Sequence, residues 1–405
     1  MPAILQNIKV LDLTRVIAGP LCTQHLADMG AAVYKIEKPM DGDDTRRMGP
    51  FLKDKDGQDS NDSALYLAYN RGKQSVTIDI SQPEGADLVR QLAAKCDVVI
   101  ENYKAGGLKK YGLDYASLQK FKPDLIYCSL TGFGQAGPMA QQPAYDFILQ
   151  GMAGMMSTCG QPEGLAGAGP MRTSIPITDV VTGQNAAISI LAALFHHQRT
   201  GEGQYIDCAM IDSAVALNGH LALGYLMTGK SPTRVGNTNP IASPSEVFDC
   251  SDGQLIIAAG NNGQFLACCQ VLGIPELALQ SEFESNAKRV AHRGLLRTIL
   301  AKQIAQHSRS ELLKALKHAG VPCGPINDMA QVFAEPQTQH RELFLTLQHA
   351  RHPSVPTLRS PLNFSKTPVQ HHSPPQLGAH TSQVLAHELH LSAEAIEDLK
   401  LSSLI

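Results

Sequence analysis

Tryptophan is absent from this chain of 405 residues, and aromatic residues make up only 5% of it. Proteins that stack nucleic-acid bases need exposed aromatic rings, and phosphate-backbone binding needs an excess of basic residues. The formal net charge of −3 provides no such excess. The composition therefore argues against a nucleic acid or an anionic membrane surface as a partner.

Paired cysteines are also lacking. The nine cysteines are scattered and form no C-x-x-C pair, so neither a metal site nor a disulfide framework is predicted. The start of the chain, "MPAILQNIKVLDLT", has no pattern of a secretory signal, and the most apolar run, 186–195, is too short to span a bilayer. We expect a soluble cytoplasmic protein.

Two common nucleotide-binding motifs are missing as well. The loop after the first predicted strand reads "TRVIAGP" and is not G-x-G-x-x-G, and there is no Walker A sequence. Glu37, at the end of the second predicted strand, occupies the place of the acid that holds a nicotinamide ribose. Without the glycines, the sequence disfavours an NAD-dependent oxidoreductase.

The first third of the chain alternates between apolar strands and amphipathic helices. The strand patterns are "KVLDLT", "AVYKIEK", "SVTIDI", "DVVIEN" and "DLIYCSLTGFG". Such alternation predicts an α/β fold with a parallel sheet covered on both faces. Ligands of these sheets bind beyond the carboxyl ends of the strands.

A second domain is predicted further along the chain. A helix, "NGHLALGYLMTG", is followed by the loop "SPTRVGNTNPIASP", which is rich in glycine, proline, serine and asparagine. Strand and helix patterns then alternate to about residue 330. The predicted domains are a large domain over 1–200, a linker helix over 201–225 and a small α+β domain over 226–330.

One carboxylate stands at the start of a long apolar helix. The stretch "ITDVVTGQNAAISILAALFHHQRTGEG" predicts a helix over about 180–199, with Asp179 immediately before it. Aspartate is a favoured helix N-cap, so a capping role explains Asp179 as simply as a chemical role does. This segment alone leaves both interpretations open.

Several ordered stretches resemble the family III CoA-transferases. They run from "LDLTRVIAGP" and "NRGKQSVTIDI" through "DVVIENYKAGGLKKYGLDY", "AYDFILQGMAGMMSTCG" and "ITDVVTGQNAA" to "LGAHTSQVL". The middle of the chain is most similar to the branch that uses succinyl-CoA and a dicarboxylate such as glutarate, itaconate or malate. The run of four glycines found in the formyl-CoA:oxalate enzymes is missing.

The resemblance implies a particular architecture. A Rossmann-like large domain would be completed by the C-terminal segment 346–405, with 331–345 as the return linker. The chain would form an open ring, and two rings would interlock as a homodimer.

The resemblance also implies a mechanism. Asp179 matches the nucleophile of the family, which attacks the donor thioester to give a mixed anhydride and then an aspartyl-CoA thioester. The implied substrates are an acyl-CoA and a free carboxylic acid.

Further positions carry over as expected contacts to CoA or to the acceptor. The expected CoA contacts are Ile17, Ala18, Lys38, Ile78, Asp79, Ile80, Ser81, Asn102, Tyr103, Lys104, Lys110, Pro143, Ala144, Tyr145 and Asp146. For the distal carboxylate of a dicarboxylate we predict the arginines Arg46, Arg47 and Arg172, because a guanidinium can bind a carboxylate with two hydrogen bonds.

Two alternative functions share these features. An α-methylacyl-CoA racemase of the same fold usually has a histidine before the acid that here is Asp146, where this chain has Tyr145. An unperturbed tyrosine is a poor proton shuttle at neutral pH. The other alternative is a CoA-binding protein without catalytic activity.

Overall fold

A computed structural model describes residues 3–54, 56–349, 352 and 354–405. The chain divides into two compact units. The first, here called the sheet unit, contains Met1–Met155, Thr173–Gly229 and Gln339–Ile405. The second, here called the small unit, contains Met156–Arg172 and Lys230–Thr338. Each unit is therefore built from more than one segment of the chain.

The strands are numbered in chain order. They are β1 (Lys9–Leu13), β2 (Ala32–Glu37), β3 (Phe51–Lys53), β4 (Asp59–Ser63), β5 (Gln74–Thr77), β6 (Val98–Glu101), β7 (Ile126–Thr131), β8 (Tyr205–Ala209), β9 (Ser245–Cys250), β10 (Gly253–Ala258), β11 (Cys323–Pro325), β12 (Phe344–Leu347) and β13 (Val355–Leu358).

The α-helices are numbered in the same way. They are α1 (Ala18–Asp28), α2 (Ala64–Tyr69), α3 (Pro83–Ala93), α4 (Tyr115–Leu118), α5 (Asp146–Met152), α6 (Met155–Thr158), α7 (Ile177–Thr200), α8 (Met210–Leu217), α9 (Gly219–Thr228), α10 (Asn262–Val271), α11 (Asn286–Ala291), α12 (Arg293–Ile304), α13 (Arg309–His318), α14 (Met329–Ala334), α15 (Pro336–His340), α16 (Thr381–Leu389) and α17 (Ala393–Leu401). Short 3₁₀ turns cover Asp44–Arg47, Lys109–Tyr111 and Pro275–Leu279.

The main sheet confirms the predicted parallel α/β architecture. Its six strands are arranged in the order β5-β2-β1-β6-β7-β8, and every neighbouring pair is parallel. Strands β1, β6 and β7 are buried along nearly their whole length, which agrees with a parallel sheet covered on both faces. Strand β8 was not predicted, because its outer residues are partly exposed and form no apolar run.

The order of the strands reverses at β1. Strand β2 lies on one side of β1, and β6 lies on the other. The loops that leave β1 and β6 therefore meet at a topological switch point, where α/β sheets commonly bind ligands. Asn102, after β6, binds the backbone of Arg15, after β1: its Oδ1 accepts from the Arg15 N–H at 2.9 Å and its Nδ2 donates to the Arg15 carbonyl at 2.7 Å.

Apolar side chains cover both faces of the main sheet. On one face, Leu88 and Leu92 of α3 pack with Leu385 of α16 and Leu399 of α17 in one buried cluster. On the other face, α1 and α7 contribute a second cluster that includes Leu26 and Ile190. The C-terminal helices thus belong to the core of the sheet unit.

The small unit has its own sheet and core. Strands β11, β10 and β9 form an antiparallel sheet in that order. Phe248, Phe265 and Phe283 lie in its buried cluster together with Leu300 of α12 and Leu316 of α13. The small unit also takes residues 156–172, which the sequence analysis assigned to the large domain.

Helix α7 is longer than the sequence predicted. Within the part of the chain that the structure describes, it is the one helix long and apolar enough to cross a membrane by length and composition. Core helices of soluble proteins pass the same test, and α7 packs against the main sheet through residues such as Ala186 and Ile190. Other apolar residues of α7, such as Ile188 and Phe195, are more than half exposed.

Candidate active site

Asp179 lies in the first turn of α7 and does not cap the helix. The helix begins at Ile177, and its N-cap residue is Pro176, which makes no capping hydrogen bond through its side chain. The expectation that the helix starts after Asp179 is therefore wrong, and with it the capping interpretation. A carboxylate in the first turn still interacts favourably with the helix dipole.

The surroundings of Asp179 oppose its ionisation. Burial is the largest cause and the nearby Asp146 carboxylate is the second; together they raise the pKa of Asp179 to about 7. Desolvation penalises the charged form of a carboxyl group, and a neighbouring like charge adds to that penalty. Asp179 is thus half in its neutral form near physiological pH, as is common for carboxyl groups with a chemical role.

Asp146 is fixed in place by the residue next to Asp179. Its Oδ1 accepts hydrogen bonds from the backbone N–H of Thr178 at 2.8 Å and from the Thr178 hydroxyl at 2.6 Å. Its Oδ2 accepts from Gln150 Nε2 at 2.7 Å. Both oxygens are therefore engaged, and Asp146 itself does not line the cavity described next. Asp146 was predicted as a CoA contact, and the structure places it outside the cavity that Asp179 lines.

A cavity of about 240 Å³ opens beside Asp179, and we call it the Asp179 cavity. It is formed by the loops that follow β1, β6 and β7 and by the start of α7. The structure brings together here most of the predicted site, namely Asp179, Ile17, Ala18, Asn102, Tyr103, Lys104, Pro143, Ala144 and Tyr145. It adds side chains that sequence reasoning missed, among them Arg15, Val16, Asp44 and Met210.

The loop after β1 is held in an unusual backbone conformation. Val16 has a φ of +72°, which is costly for a β-branched residue and is found mainly at functional sites. Its N–H donates to Asp43 Oδ1 at 3.3 Å. Buried Lys35 braces the same loop, since its Nζ donates to the Thr14 carbonyl at 2.8 Å and to Asp43 Oδ2 at 2.9 Å.

The charges beneath this loop are buried and paired. Burial opposes the ionisation of Asp43, but Lys35 and the Thr45 N–H outweigh it and lower its pKa to about 2. Burial lowers the pKa of Lys73 to about 8, although Asp12 partly offsets it. In the sequence, these buried charges are visible as charged residues within apolar strand patterns, such as Asp12 in "KVLDLT".

Close backbone contacts bring the elements of the site together. A Cβ at Gly183, one turn after Asp179, would lie 2.5 Å from the Ala18 carbonyl oxygen. A Cβ at Gly132, after β7, would lie 2.1 Å from the Cβ of Ala144. Glycine at these two positions lets α7 and the 140–145 loop approach the ends of the strands.

A second cavity, of about 370 Å³, adjoins the first, and we call it the outer cavity. It contains the predicted CoA contacts Lys38, Ile78, Asp79, Ile80 and Ser81. Arg15, Asp44 and Tyr103 line both cavities, so the two cavities lie side by side. Lys38 donates to Asp41 Oδ2 at 2.6 Å. Lys110 lies just outside, with its Nζ 4.6 Å from the centre of the Tyr111 ring that lines the outer cavity.

Arg46 and Arg47, two of the predicted substrate arginines, are not among the residues that line the Asp179 cavity. Arg46 is buried and forms a bidentate pair with Glu37, at 2.8 and 2.9 Å, and it also contacts the Tyr66 hydroxyl at 2.5 Å. This pairing lowers the pKa of Glu37, against the effect of burial, and it also explains the acid at the end of β2. Arg47 lines the outer cavity and pairs with Asp41 at 3.2 Å. Arg172 belongs to the small unit.

One group of side chains has the residue types of a metal site. Asp62, His349 and His352 bring potential ligand atoms within 4.8 Å of one another. His352 Nε2 lies 2.8 Å from Asp62 Oδ2, and both side chains are nearly inaccessible. A buried hydrogen-bonded pair already satisfies these two groups.

Comparisons with known proteins agree on one family. The sequence model described as "CoA-transferase family III" matches residues 5–381. The chain is 46% identical over 384 residues to "Succinate--glutarate CoA-transferase" of Agrobacterium fabrum, covering 94% of this chain and 95% of that protein. It is 38% identical over 399 residues to human "Succinyl-CoA:glutarate CoA-transferase", covering 98% and 88%. A crystal structure of a CAIB/BAIF family protein from Brucella suis superposes with a TM-score of 0.85 at 43% identity, covering 96% of this chain and all of that one.

Proposed function

Because the chain belongs to family III of the CoA-transferases, we propose that it exchanges CoA between succinyl-CoA and a free dicarboxylate through covalent intermediates on Asp179. It is an acyl-CoA:carboxylate CoA-transferase. Glutarate is the first acceptor to test, since the Agrobacterium and human relatives carry succinate or succinyl-CoA and glutarate in their names.

The position of Asp179 carries this proposal. It is a partly desolvated carboxyl group in the wall of a cavity that adjoins a second cavity large enough for part of a nucleotide. The raised pKa of about 7 means that a small change in surroundings on substrate binding yields the carboxylate needed for attack.

The proposed reaction exchanges one thioester for another. The Asp179 carboxylate attacks the succinyl-CoA carbonyl and the C–S bond breaks. CoA departs as a thiolate, and a succinyl-aspartyl anhydride is formed. The thiolate then attacks the aspartyl carbonyl, which releases succinate and forms aspartyl-CoA. The acceptor carboxylate attacks that thioester, and the returning thiolate attacks the acceptor's carbonyl to give the new acyl-CoA and free Asp179. Because both intermediates hydrolyse, the apolar walls around Asp179 serve to exclude water.

We propose that CoA runs from the outer cavity to the Asp179 cavity. Lys38 and Ile78–Ser81 would then lie near its nucleotide, with Lys110 close to the rim. Ile17, Ala18 and the Asn102–Lys104 segment would lie near the pantetheine arm. The two cavities share Asp44 and Tyr103 as lining residues, which supports this path.

A second copy of the chain is part of the proposal. Helix α9 has no buried residue, and Leu223, Leu226 and Met227 on it are more than half exposed. Exposed apolar surface of this kind marks an interaction site. A homodimer, interlocked as in the family, would cover it. A cytoplasmic location is likewise proposed.

An acyl-CoA exchange assay followed by mass spectrometry tests the proposed activity. Purified protein is incubated with succinyl-CoA and a panel of mono- and dicarboxylates, beside the Asp179→Ala variant. We expect a new acyl-CoA from glutarate or a related diacid, and a loss of about 10³-fold or more in the variant. Deuterium uptake at the α-carbon of a branched acyl-CoA, without transfer of CoA to any acid, would instead identify a racemase. CoA binding with neither reaction would identify a non-catalytic protein.

A further inference from the structure

The reaction proposed above needs a cation at one end of the acyl site. Succinyl-CoA and glutarate each carry a second carboxylate at the end opposite the reacting carbon. Donor and acceptor react in turn at the same aspartate, so both distal carboxylates occupy one subsite. A buried or half-buried carboxylate requires a charged hydrogen-bonding partner.

Few basic side chains are available for this purpose. Among the described residues, Arg15 and Lys104 are the ones that line the Asp179 cavity. The Arg46 guanidinium already forms a buried bidentate pair with Glu37. Arg47 lines the outer cavity and not the Asp179 cavity. Arg15 is therefore the one arginine, within the described chain, that shares a cavity with Asp179.

The backbone of Arg15 is fixed while its side chain is not. Asn102 binds both its N–H and its carbonyl, and the next residue, Val16, holds the left-handed conformation. The side chain itself is half exposed, at 50%. The backbone of Arg15 is thus fixed at the cavity wall, while its guanidinium can move to contact a substrate.

The present contacts of the Arg15 guanidinium are weak ones. Nη1 lies 3.2 Å from Asp44 Oδ2 in a pair whose two side chains are both substantially exposed. Exposed ion pairs of this kind contribute little to stability. The guanidinium also lies 5.5 Å from the centre of the Tyr103 ring. A substrate carboxylate can replace or share the Asp44 contact at small cost.

We propose that Arg15 binds the distal carboxylate of the donor's acyl group and of the acceptor in turn, and so selects dicarboxylates. This inference rests on the proposed function. Arginine suits the role because its planar guanidinium matches a carboxylate with two parallel hydrogen bonds, which lysine cannot reproduce. Asp44 would hold the guanidinium in place while the subsite is empty.

The test compares acceptors that differ only in the distal group. Wild-type, Arg15→Gln and Arg15→Lys enzymes are assayed with glutarate and with pentanoate, its monocarboxylate counterpart. We expect Arg15→Gln to lower kcat/KM for glutarate about 10- to 100-fold more than it lowers kcat/KM for pentanoate. For Arg15→Lys we expect a kcat/KM for glutarate between that of the wild type and that of Arg15→Gln. Arg199→Gln, at the far end of α7, should leave the ratio of the two acceptors at the wild-type value.

A second measurement separates this role from CoA binding. The affinity for free CoA is measured by calorimetry, and we expect Arg15→Gln to match the wild type. An equal loss for both acceptors together with weaker CoA binding would overturn the inference and assign Arg15 to the CoA phosphates. An unchanged ratio of glutarate to pentanoate in Arg15→Gln would overturn it as well. If the wild type transfers CoA to no dicarboxylate, the proposed function itself fails, and the role of Arg15 fails with it.

Discussion

Two carboxyl groups share the start of α7 and differ in their surroundings. Asp146 accepts hydrogen bonds from the Thr178 N–H, the Thr178 hydroxyl and Gln150 Nε2. Asp179 is half-buried beside it, and its pKa rises to about 7 first through desolvation and then through Asp146. Environments that separate the properties of neighbouring acids commonly assign them different roles. We therefore propose that Asp146 tunes the pKa of Asp179 and that Asp179 reacts.

Removing the charge of Asp146 should shift the pH dependence of the reaction. The nucleophile must be ionised, so activity rises with pH through the pKa of Asp179. Asp146→Asn keeps an oxygen acceptor for Thr178 but removes the like charge, which lowers the pKa of Asp179. We therefore expect the acidic limb of the kcat/KM profile to move to lower pH. Measurement from about pH 5 to 9 brackets that limb.

A charge-matched control accompanies this variant. Asp87→Asn removes one negative charge from the exposed surface of α3 and should leave the limb where it is. An unmoved limb in Asp146→Asn would mean that burial alone sets the pKa of Asp179.

Helix α7 depends on a close approach to α1. Gly183 faces the carbonyl oxygen of Ala18, the first residue of α1. This contact holds the first turn of α7 beside the loop after β1, and so places Asp179 beside Ile17 and Ala18. The absence of a side chain at Gly183 thus allows Asp179 to lie beside the predicted pantetheine site.

Gly183→Ala should displace α7 and weaken catalysis. The new Cβ would lie 2.5 Å from the Ala18 oxygen and 3.3 Å from Leu21 Cβ, so the helix must shift. Overpacking of this kind costs about 1–3 kcal/mol of unfolding free energy. We expect a lower denaturant midpoint and a fall in kcat larger than the loss of folded protein explains.

Helix α12 offers a matched control for this substitution. A Cβ at Gly294 meets no atom within 4 Å, so Gly294→Ala should be neutral or stabilise by about 0.5–1 kcal/mol through helix propensity. Equal behaviour of the two alanine variants would contradict the packing role of Gly183.

The elements that could be predicted from the sequence are those with strong apolar periodicity. Strands β1, β2, β6 and β7 were predicted because parallel strands buried on both faces leave continuous apolar runs. Strands β3 and β4 were missed because "FLK" and "DSNDS" carry no such pattern.

The site was predictable where it follows strand ends and unpredictable where it depends on side-chain pairing. Ile17 and Asn102 come directly after strands, so their meeting at one edge follows from topology. The pairing of Arg46 with Glu37 does not, because nothing in the sequence separates a guanidinium that is buried in a pair from one that is free for substrate. Arg15 was overlooked for the same reason.

The sheet unit is assembled from three separate segments of the chain. Residues 339–405 supply α16 and α17, and Leu385 and Leu399 join the same core as Leu88 of α3. Its remaining apolar surface includes α9, where Leu226 is 78% exposed and Met227 is 76% exposed. An exposed run of this kind is unfavourable in an isolated chain.

A charge on α9 should therefore break the proposed homodimer. We expect the wild type to sediment as a dimer and Leu226→Asp to shift towards monomer, because burying an unpaired carboxylate in an apolar interface is costly. Leu401→Asp places the same charge on an exposed residue of α17 and should leave the dimer intact. A monomeric wild type in analytical ultracentrifugation would refute the dimer.

The most direct test of the account follows an oxygen atom. When the acceptor carboxylate attacks aspartyl-CoA, one of its oxygens becomes the bridge of the anhydride, and that oxygen stays on Asp179 when thiolate removes the acyl group. Turnover with succinyl-CoA and glutarate labelled with ¹⁸O in its carboxylates should therefore place ¹⁸O in the proteolytic peptide that contains Asp179, as read by mass spectrometry. Formation of glutaryl-CoA with no label in that peptide would contradict covalent catalysis by Asp179.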